Sequence, residues 1–233
     1  SSANGLYTAA SKIPNFVILF SQIFIDAWQL SAVDEYDQEG GRQFFTKVFR
    51  VYSGGIFAVA SVLILLCQFI TKILVAKSYY DSWQVVPILI IATTYSCIVN
   101  FLASIYMAEK KNVMSLVTAM SGAITNFVLN LVFIPRIGAN GAALATVCAF
   151  LVVFVTRAID TRRFIKIDFK LPVLLGETAV LVTQSILLLK YDGALWVYII
   201  EVLLVVVMLL LNLKPIKELV NLILAKFLKK RKN

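Results

Sequence analysis

The chain contains no histidine, only three cysteines, and just 15% charged residues among its 233. Without an imidazole, no serine or cysteine has the usual base to activate it, so His-dependent hydrolysis is not encoded. Cys67, Cys97 and Cys148 fall one to each of three separate apolar runs, with no paired spacing. That argues against both a disulfide framework and a metal site. No glycine-rich phosphate-cradling loop precedes a helix, which removes a nucleotide-driven pump of the P-loop kind. No catalytic residue, metal or cofactor is expected, and the chain reads as a non-enzyme.

What is present in excess is apolar surface: 60% of the residues are hydrophobic, more than a soluble core of this size uses. A membrane-spanning helix needs about 20 consecutive apolar residues. Seven runs approach that length: Leu6 to Leu30, Val51 to Thr71, Trp83 to Met107, Val113 to Ile134, Gly138 to Thr156, Leu171 to Leu189 and Ala194 to Leu213. They lack the in/out alternation of barrel strands, and in lipid only helices and closed barrels satisfy every backbone group. The expected fold is an all-α, polytopic transmembrane helical bundle of about seven spans.

The charges predict an orientation. With the carboxyl terminus placed in the cytoplasm and seven crossings counted back, seventeen of the 22 basic residues fall inside, among them Arg42, Lys47, Arg50, Lys110, Lys111, Arg157, Arg162 and Arg163. Lys12, Lys72, Lys77, Arg136 and Lys190 remain outside. This is the positive-inside bias, which predicts a cytoplasmic carboxyl terminus and an external amino terminus in a cell membrane. It also accounts for the net charge of +9 without any nucleic-acid partner. A connection of about 20 residues, Ser31 to Arg50, carries Asp34, Glu35, Asp37 and Glu39 and is expected as the longest internal loop. Residues 214–233 place Ile216, Leu219, Val220, Ile223, Leu224 and Phe227 at helical spacing before Lys229-Lys230-Arg231-Lys232. Two readings stand for them: a basic amphipathic helix on an anionic leaflet, or a plain stop-transfer tail. The opening Ser1-Ser2-Ala3-Asn4 has neither an initiator Met nor a signal-peptide layout, which predicts a fragment or a processed chain.

The fourth and fifth runs meet in Asn126-Phe127-Val128-Leu129-Asn130-Leu131, then Ile134-Pro135-Arg136-Ile137-Gly138-Ala139-Asn140-Gly141-Ala142-Ala143, and on through Ala145-Thr146. Pro135 cannot continue a hydrogen-bonded helix and Gly138 tolerates a turn, so a reversal is expected there. Gly138, Ala142, Ala145 and Ala149 then recur at three- and four-residue spacing, and Gly141 adds to them, as in closely packed membrane helices. This segment resembles the hairpin in the carboxyl-terminal half of polysaccharide-unit flippases (Wzx type) of the multidrug/oligosaccharidyl-lipid/polysaccharide exporter (MOP) superfamily. Gly5 to Pro14, Asp26-Ala27-Trp28 and the Tyr79-Tyr80 to Pro87 stretch agree with the same resemblance. It implies helices eight to fourteen of a fourteen-helix protein. Residues 1–160 would be the incomplete carboxyl-terminal lobe, 161–213 two additional helices and 214–233 the cytoplasmic tail.

Polar groups are costly in lipid and point to pathways or to helix contacts. Ser96, Asn100 and Ser104 stand four apart in the third run, and Ser115, Thr118, Gly122, Asn126 and Asn130 form a similar stripe in the fourth. Two readings stay open: a wet cavity, or hydrogen bonds gluing helices together. Asp26 and Arg50 are expected near cytoplasmic ends, either paired with each other, with Arg50 at the phosphates of a lipid-linked substrate, or snorkelling to the interface. Glu177 and Glu201 are membrane-embedded acids that must be protonated, partnered or near water.

The resemblance implies that the full protein flips an isoprenoid-diphosphate-linked oligosaccharide across the cytoplasmic membrane, driven by an ion gradient or by downstream consumption of the unit. Its partners would be membrane lipid, the lipid-linked oligosaccharide and the missing amino-terminal lobe. The alternatives are a cation-coupled multidrug exporter or a lipid-linked peptidoglycan precursor flippase of the same superfamily. A membrane-embedded glycosyltransferase would need a larger extramembrane catalytic loop, and a structural scaffold is the remaining rival.

Overall fold

A computed structural model describes residues 2–36, 41–192, 194–215 and 217. The described chain is all-helical, 89% helix without a strand. In order come α1 (Ser2–Ala10), α2 (Asn15–Tyr36), α3 (Gly41–Leu65), α4 (Cys67–Leu74), a 3-10 segment (Lys77–Gln84), α5 (Val86–Ala108), α6 (Asn112–Asp160), α7 (Leu171–Tyr191) and α8 (Leu195–Leu211). Four helical segments are long and apolar enough to cross a membrane: Arg42–Leu65, Val86–Ala108, Asn112–Arg163 and Leu171–Tyr191. Asn15–Asp26 and Leu195–Leu211 are shorter apolar helices.

At 1.5 Å per residue, the 49 residues of α6 would reach about 75 Å if straight. They do not run straight. Ile137 (φ −133°, ψ 19°) and Gly138 (φ 56°, ψ −131°) leave the helical region, and the chain folds back on itself. A side chain is rarely accommodated at the Gly138 conformation, and Pro135 just before it supplies no backbone N–H to hold the helix together. The two arms then pack antiparallel. Thr118 faces Arg157, the Gly122 position abuts Val153 and Ala149, and Asn126 faces Thr146. Gly141 lies against the backbone of Phe133, where a β-carbon would collide, so the small residues serve close approach. Val113, Leu116, Phe127 and Leu131 of the first arm point outward and exposed. A face that apolar suits lipid.

Two runs and one connection depart in detail from expectation. The first run breaks at 11–14, where the Ser11 hydroxyl bonds the Thr8 carbonyl and Pro14 opens the next helix. The second breaks at Leu66, so the expected Val51 to Thr71 span is divided between α3 and α4. The expected loop Ser31 to Arg50 is mostly helix, because α2 continues to Tyr36 and α3 already starts at Gly41. The cause in α3 is legible: Phe45, Phe49, Tyr52 and Ile56 are buried at three- and four-residue spacing, which continues the core face below Arg50 despite the charges around it.

The most buried helix is α5, which packs against α2, α3, α6 and α7. An aromatic chain runs through this contact: Tyr52 stacks on Phe101 at 5.3 Å, and Phe49 meets both Phe101 and Phe169 edge-on at 5.5 and 5.1 Å. Phe154 joins Tyr95 to Phe169. Tyr52 also takes its hydroxyl into the core, where it donates to the Cys97 carbonyl at 3.0 Å and pairs with Ser21 at 2.6 Å. Helices α7 and α8 pack on each other and on α3. One end of the bundle gathers basic residues from distant parts of the chain: Arg42 donates to the Lys166 carbonyl, Arg50 meets Asp168, and Tyr106 bonds Asp160 beside Arg163. The other end carries the α6 turn and the Gln68–Asp192 and Tyr198–Gln68 contacts.

Candidate polar pathway and buried charges

The two polar stripes meet. A pocket of about 380 Å³ lies between α5 and both arms of α6, lined by Asn100, Gly122, Asn126, Thr146, Val153 and Arg157 among others. Asn130 Nδ2 donates to the side-chain Oδ1 of Asn126 at 2.8 Å, Asn126 Nδ2 donates to the Thr146 hydroxyl at 3.3 Å, and the Thr146 hydroxyl donates to the backbone carbonyl of Ala142 at 2.8 Å. This ladder crosses from one arm to the other. Asn126 and Thr146 both glue the hairpin and edge the pocket, whereas Asn130 belongs to the ladder without lining the pocket. Asn130 keeps one buried amide oxygen unbonded. From α5, Asn100 reaches the pocket, while Ser104 is buried and donates back to Phe101 of its own helix.

At the basic end of the pocket sits Arg157, a residue that the charge pattern had placed with the cytoplasmic loop. It belongs instead to the interior, 4% exposed. Its Nε donates to Thr118 Oγ1 at 3.0 Å, Nη1 to the Val99 carbonyl at 2.7 Å, and Nη2 to the Ser115 carbonyl and hydroxyl at 3.1 and 3.2 Å. The Tyr106 ring lies 5.8 Å from its guanidinium carbon, within cation–π range. A signal for it existed: Thr146, Ala149, Val153 and Arg157 share one helix face at three- and four-residue spacing, so the face facing the pocket continues to the arginine.

Asp26 and Arg50 do not pair. Asp26 accepts from Gln22 one turn earlier at 2.6 Å, an ordinary same-face helix contact. Arg50 meets Asp168 at 3.4 Å on the far flank of the bundle, away from the α5–α6 pocket. The Lys170 ammonium and backbone N–H beside Asp168, with Arg50 behind them, hold its carboxyl below the usual carboxylate range. Asp34 and Glu35 lie in α2. Asp37, Glu39 and the amphipathic segment from Glu218 onward lie outside the described residues.

The two membrane acids occupy different settings. Glu201 is inaccessible to solvent; Gln184 donates to its Oε2 at 2.8 Å, Ser61 donates to Gln184 Oε1 at 2.8 Å, and Glu201 Oε1 has no partner. Glu177, 2% exposed, lies beside Asn212 and lines a cavity of about 210 Å³ that also holds Arg50, Lys170 and Lys214. Among the described residues no group of three His, Cys, Asp or Glu side chains is placed to hold a metal ion.

No protein-family model, no curated protein and no solved structure matches this chain. Its helices of membrane-spanning length remain the firm statement of class.

Proposed function

We propose that this chain is the carboxyl-terminal part of a membrane flippase that carries isoprenoid-diphosphate-linked oligosaccharide units to the outer leaflet during polysaccharide assembly. The observation that supports this reading is a polar pocket set among apolar helices: Asn100, Asn126 and Thr146 edge it and the Arg157 guanidinium closes one end. Amides and hydroxyls are the groups that exchange hydrogen bonds with sugar hydroxyls, and an arginine at one end favours an anionic group nearby. Irregular or polar helix faces at mid-membrane are where transporters place substrates. The Asn126 to Thr146 resemblance supports the same reading.

In this reading the hairpin arms and α7 and α8 count as spans, about seven in all, and the basic end of the bundle faces the cytoplasm with the α6 turn outside. The missing amino-terminal lobe completes the cavity, and the two rock between inward-open and outward-open states. The chain alone does not transport. The pathway residues are Asn100, Asn126 and Asn130, with Arg157 at their cytoplasmic end.

The test is complementation with the full-length gene in a deletion strain, following surface glycan and lipid-linked units in the inner leaflet. Lost glycan with accumulated intermediate, and partial loss for Asn126→Ala and Asn100→Ala, is the expected result. Normal glycan with altered drug sensitivity replaces the reading with that of a multidrug exporter.

A further inference from the structure

The first turns of α3 carry Arg42, Thr46 and Arg50 at four-residue spacing, with Lys47 beside them. They form one wall of a cleft of about 430 Å³ whose other wall is Asp168, Lys214 and Pro215. The cavity that ends at Glu177 shares Arg50, Lys214 and Pro215 with this cleft and runs past Val173, Leu174 and Leu211. The two therefore join at Arg50 into a single slot, cationic at its mouth and apolar along its inner flank. Its size falls in the range of about 300 to 1,000 Å³ usual for small-ligand sites.

The charges do not balance within the slot. Arg42, Arg50, Lys170 and Lys214 line it, and Asp168 and Glu177 are the acids that line it with them. Arg50 is the group most in need of a ligand. Its Nε is buried and bonds nothing among the described residues, and its Nη2 reaches Asp168 only at 3.4 Å. A buried donor left unmade is destabilising, and the planar guanidinium fork matches two oxygens of one phosphate. Outside the slot, Leu171 and Leu175 of α7 and Leu213 just beyond α8 are exposed, so an apolar chain leaving the slot past Leu211 meets an apolar surface.

We infer that this slot binds the phosphate group of a membrane lipid, with Arg50 holding two phosphate oxygens, Lys170 and Lys214 adding charge, and the lipid chain lying along Leu171, Leu175 and Leu213. Asp168 occupies Arg50 in the empty slot and is its competitor. The slot shares no lining residue with the α5–α6 pocket, so the inference stands or falls apart from the transport reading.

The experiment uses the full chain in phosphatidylcholine nanodiscs, titrated calorimetrically with dodecyl phosphate and, separately, with inorganic phosphate and inorganic diphosphate. Dodecyl phosphate is expected to bind, about tenfold more weakly after Arg50→Ala, with Arg50→Lys in between because charge remains and the fork is lost. Asp168→Asn is expected to tighten binding about threefold by removing the competitor, and Lys190→Ala at the opposite end of α7 to leave it unchanged. Thermal unfolding of each variant establishes that it is folded, and Asp168→Asn carries the test if Arg50→Ala is not. Inorganic diphosphate binding as tightly as dodecyl phosphate, with the same Arg50 dependence, overturns the lipid source in favour of a soluble phosphate. No binding by any probe, or affinity indifferent to both Arg50→Ala and Asp168→Asn, overturns the site itself.

Discussion

Arg157 and Glu201 are both charged-type side chains withdrawn from solvent inside apolar helices, and the molecule treats them in opposite ways. Each guanidinium nitrogen of Arg157 reaches an oxygen; Arg157 stands on the second arm of the α6 hairpin, and its acceptors come from α5 and from the first arm. Glu201 receives one amide donor and keeps its second oxygen bare. A buried ion is tolerable when its full hydrogen-bonding capacity is met, and an unmet one must be neutralised or hydrated. Arg157 thus holds three helical segments in register, whereas Glu201 is held by a single thread through Gln184 to Ser61 of α3.

The contrast is sharpest at the arginine. Arg157→Ala removes the donor to the Val99 carbonyl and the hydrogen bonds that tie the second arm to Ser115 and Thr118 of the first, and is expected to lose about 3 kcal/mol, read as thermal or denaturant unfolding in detergent, with Arg157→Lys recovering part of it. An Arg157→Ala protein as stable as its parent would end the claim that saturation marks a structural charge. Next comes the hairpin that Arg157 clamps. Gly122→Leu drives a side chain into Val153 and the Ala149 carbonyl, and should lower stability by about 2 kcal/mol while leaving helix content by circular dichroism nearly unchanged. For the acid, Glu201→Leu deprives Gln184 of its 2.8 Å acceptor and is expected to lose about 1 kcal/mol, but Glu201→Gln only about 0.3. Equal losses for Leu and Gln would mean that the carboxyl's charge matters, and the comparison would have to be redrawn.

Asp168→Asn should give the smallest change, because the ion pairs it makes are half-exposed and screened by solvent. Its direction with pH is nonetheless defined. A carboxyl held below its ordinary range stabilises the fold above that range, and the contribution fades as pH falls through the lowered value. The difference in melting temperature between Asp168→Asn and its parent should therefore be present at about pH 7 and vanish in acid once the lowered carboxyl is protonated. A difference that grew in acid would contradict the pairing.

Much of the α6 hairpin and of the pocket it forms with α5 was legible in the sequence. Pro135 and Gly138 announced the reversal in α6, since one lacks a backbone donor and the other alone accepts the turn's geometry. The stripe from Ser115 to Asn130 and the paired small residues beyond the turn announced which faces of the arms would meet. Arg157 was not legible as a pathway residue from charge counting, because a basic residue three positions before Asp160 looks like the start of a loop. Its partners lie 39, 42 and 58 residues away in the chain. Of the readings open for Asp26 and Arg50, the mutual pair is the one the structure does not make: matching depth and opposite sign allow it, but depth alone says nothing about which side of a helix faces which neighbour.

Composition and apolar runs by themselves determined that the chain is helical and suited to a membrane, because backbone groups in lipid leave few other choices. Local residues determined the hairpin turn, through Pro135 and Gly138. The tertiary structure alone decided that Arg157 is buried between helices, that Asn100 and Asn126 share one pocket, and that Arg50 turns to Asp168 across the bundle. Helix formation is written in neighbours three and four residues apart, whereas the meeting of two helix faces depends on rotation and packing that no local spacing encodes.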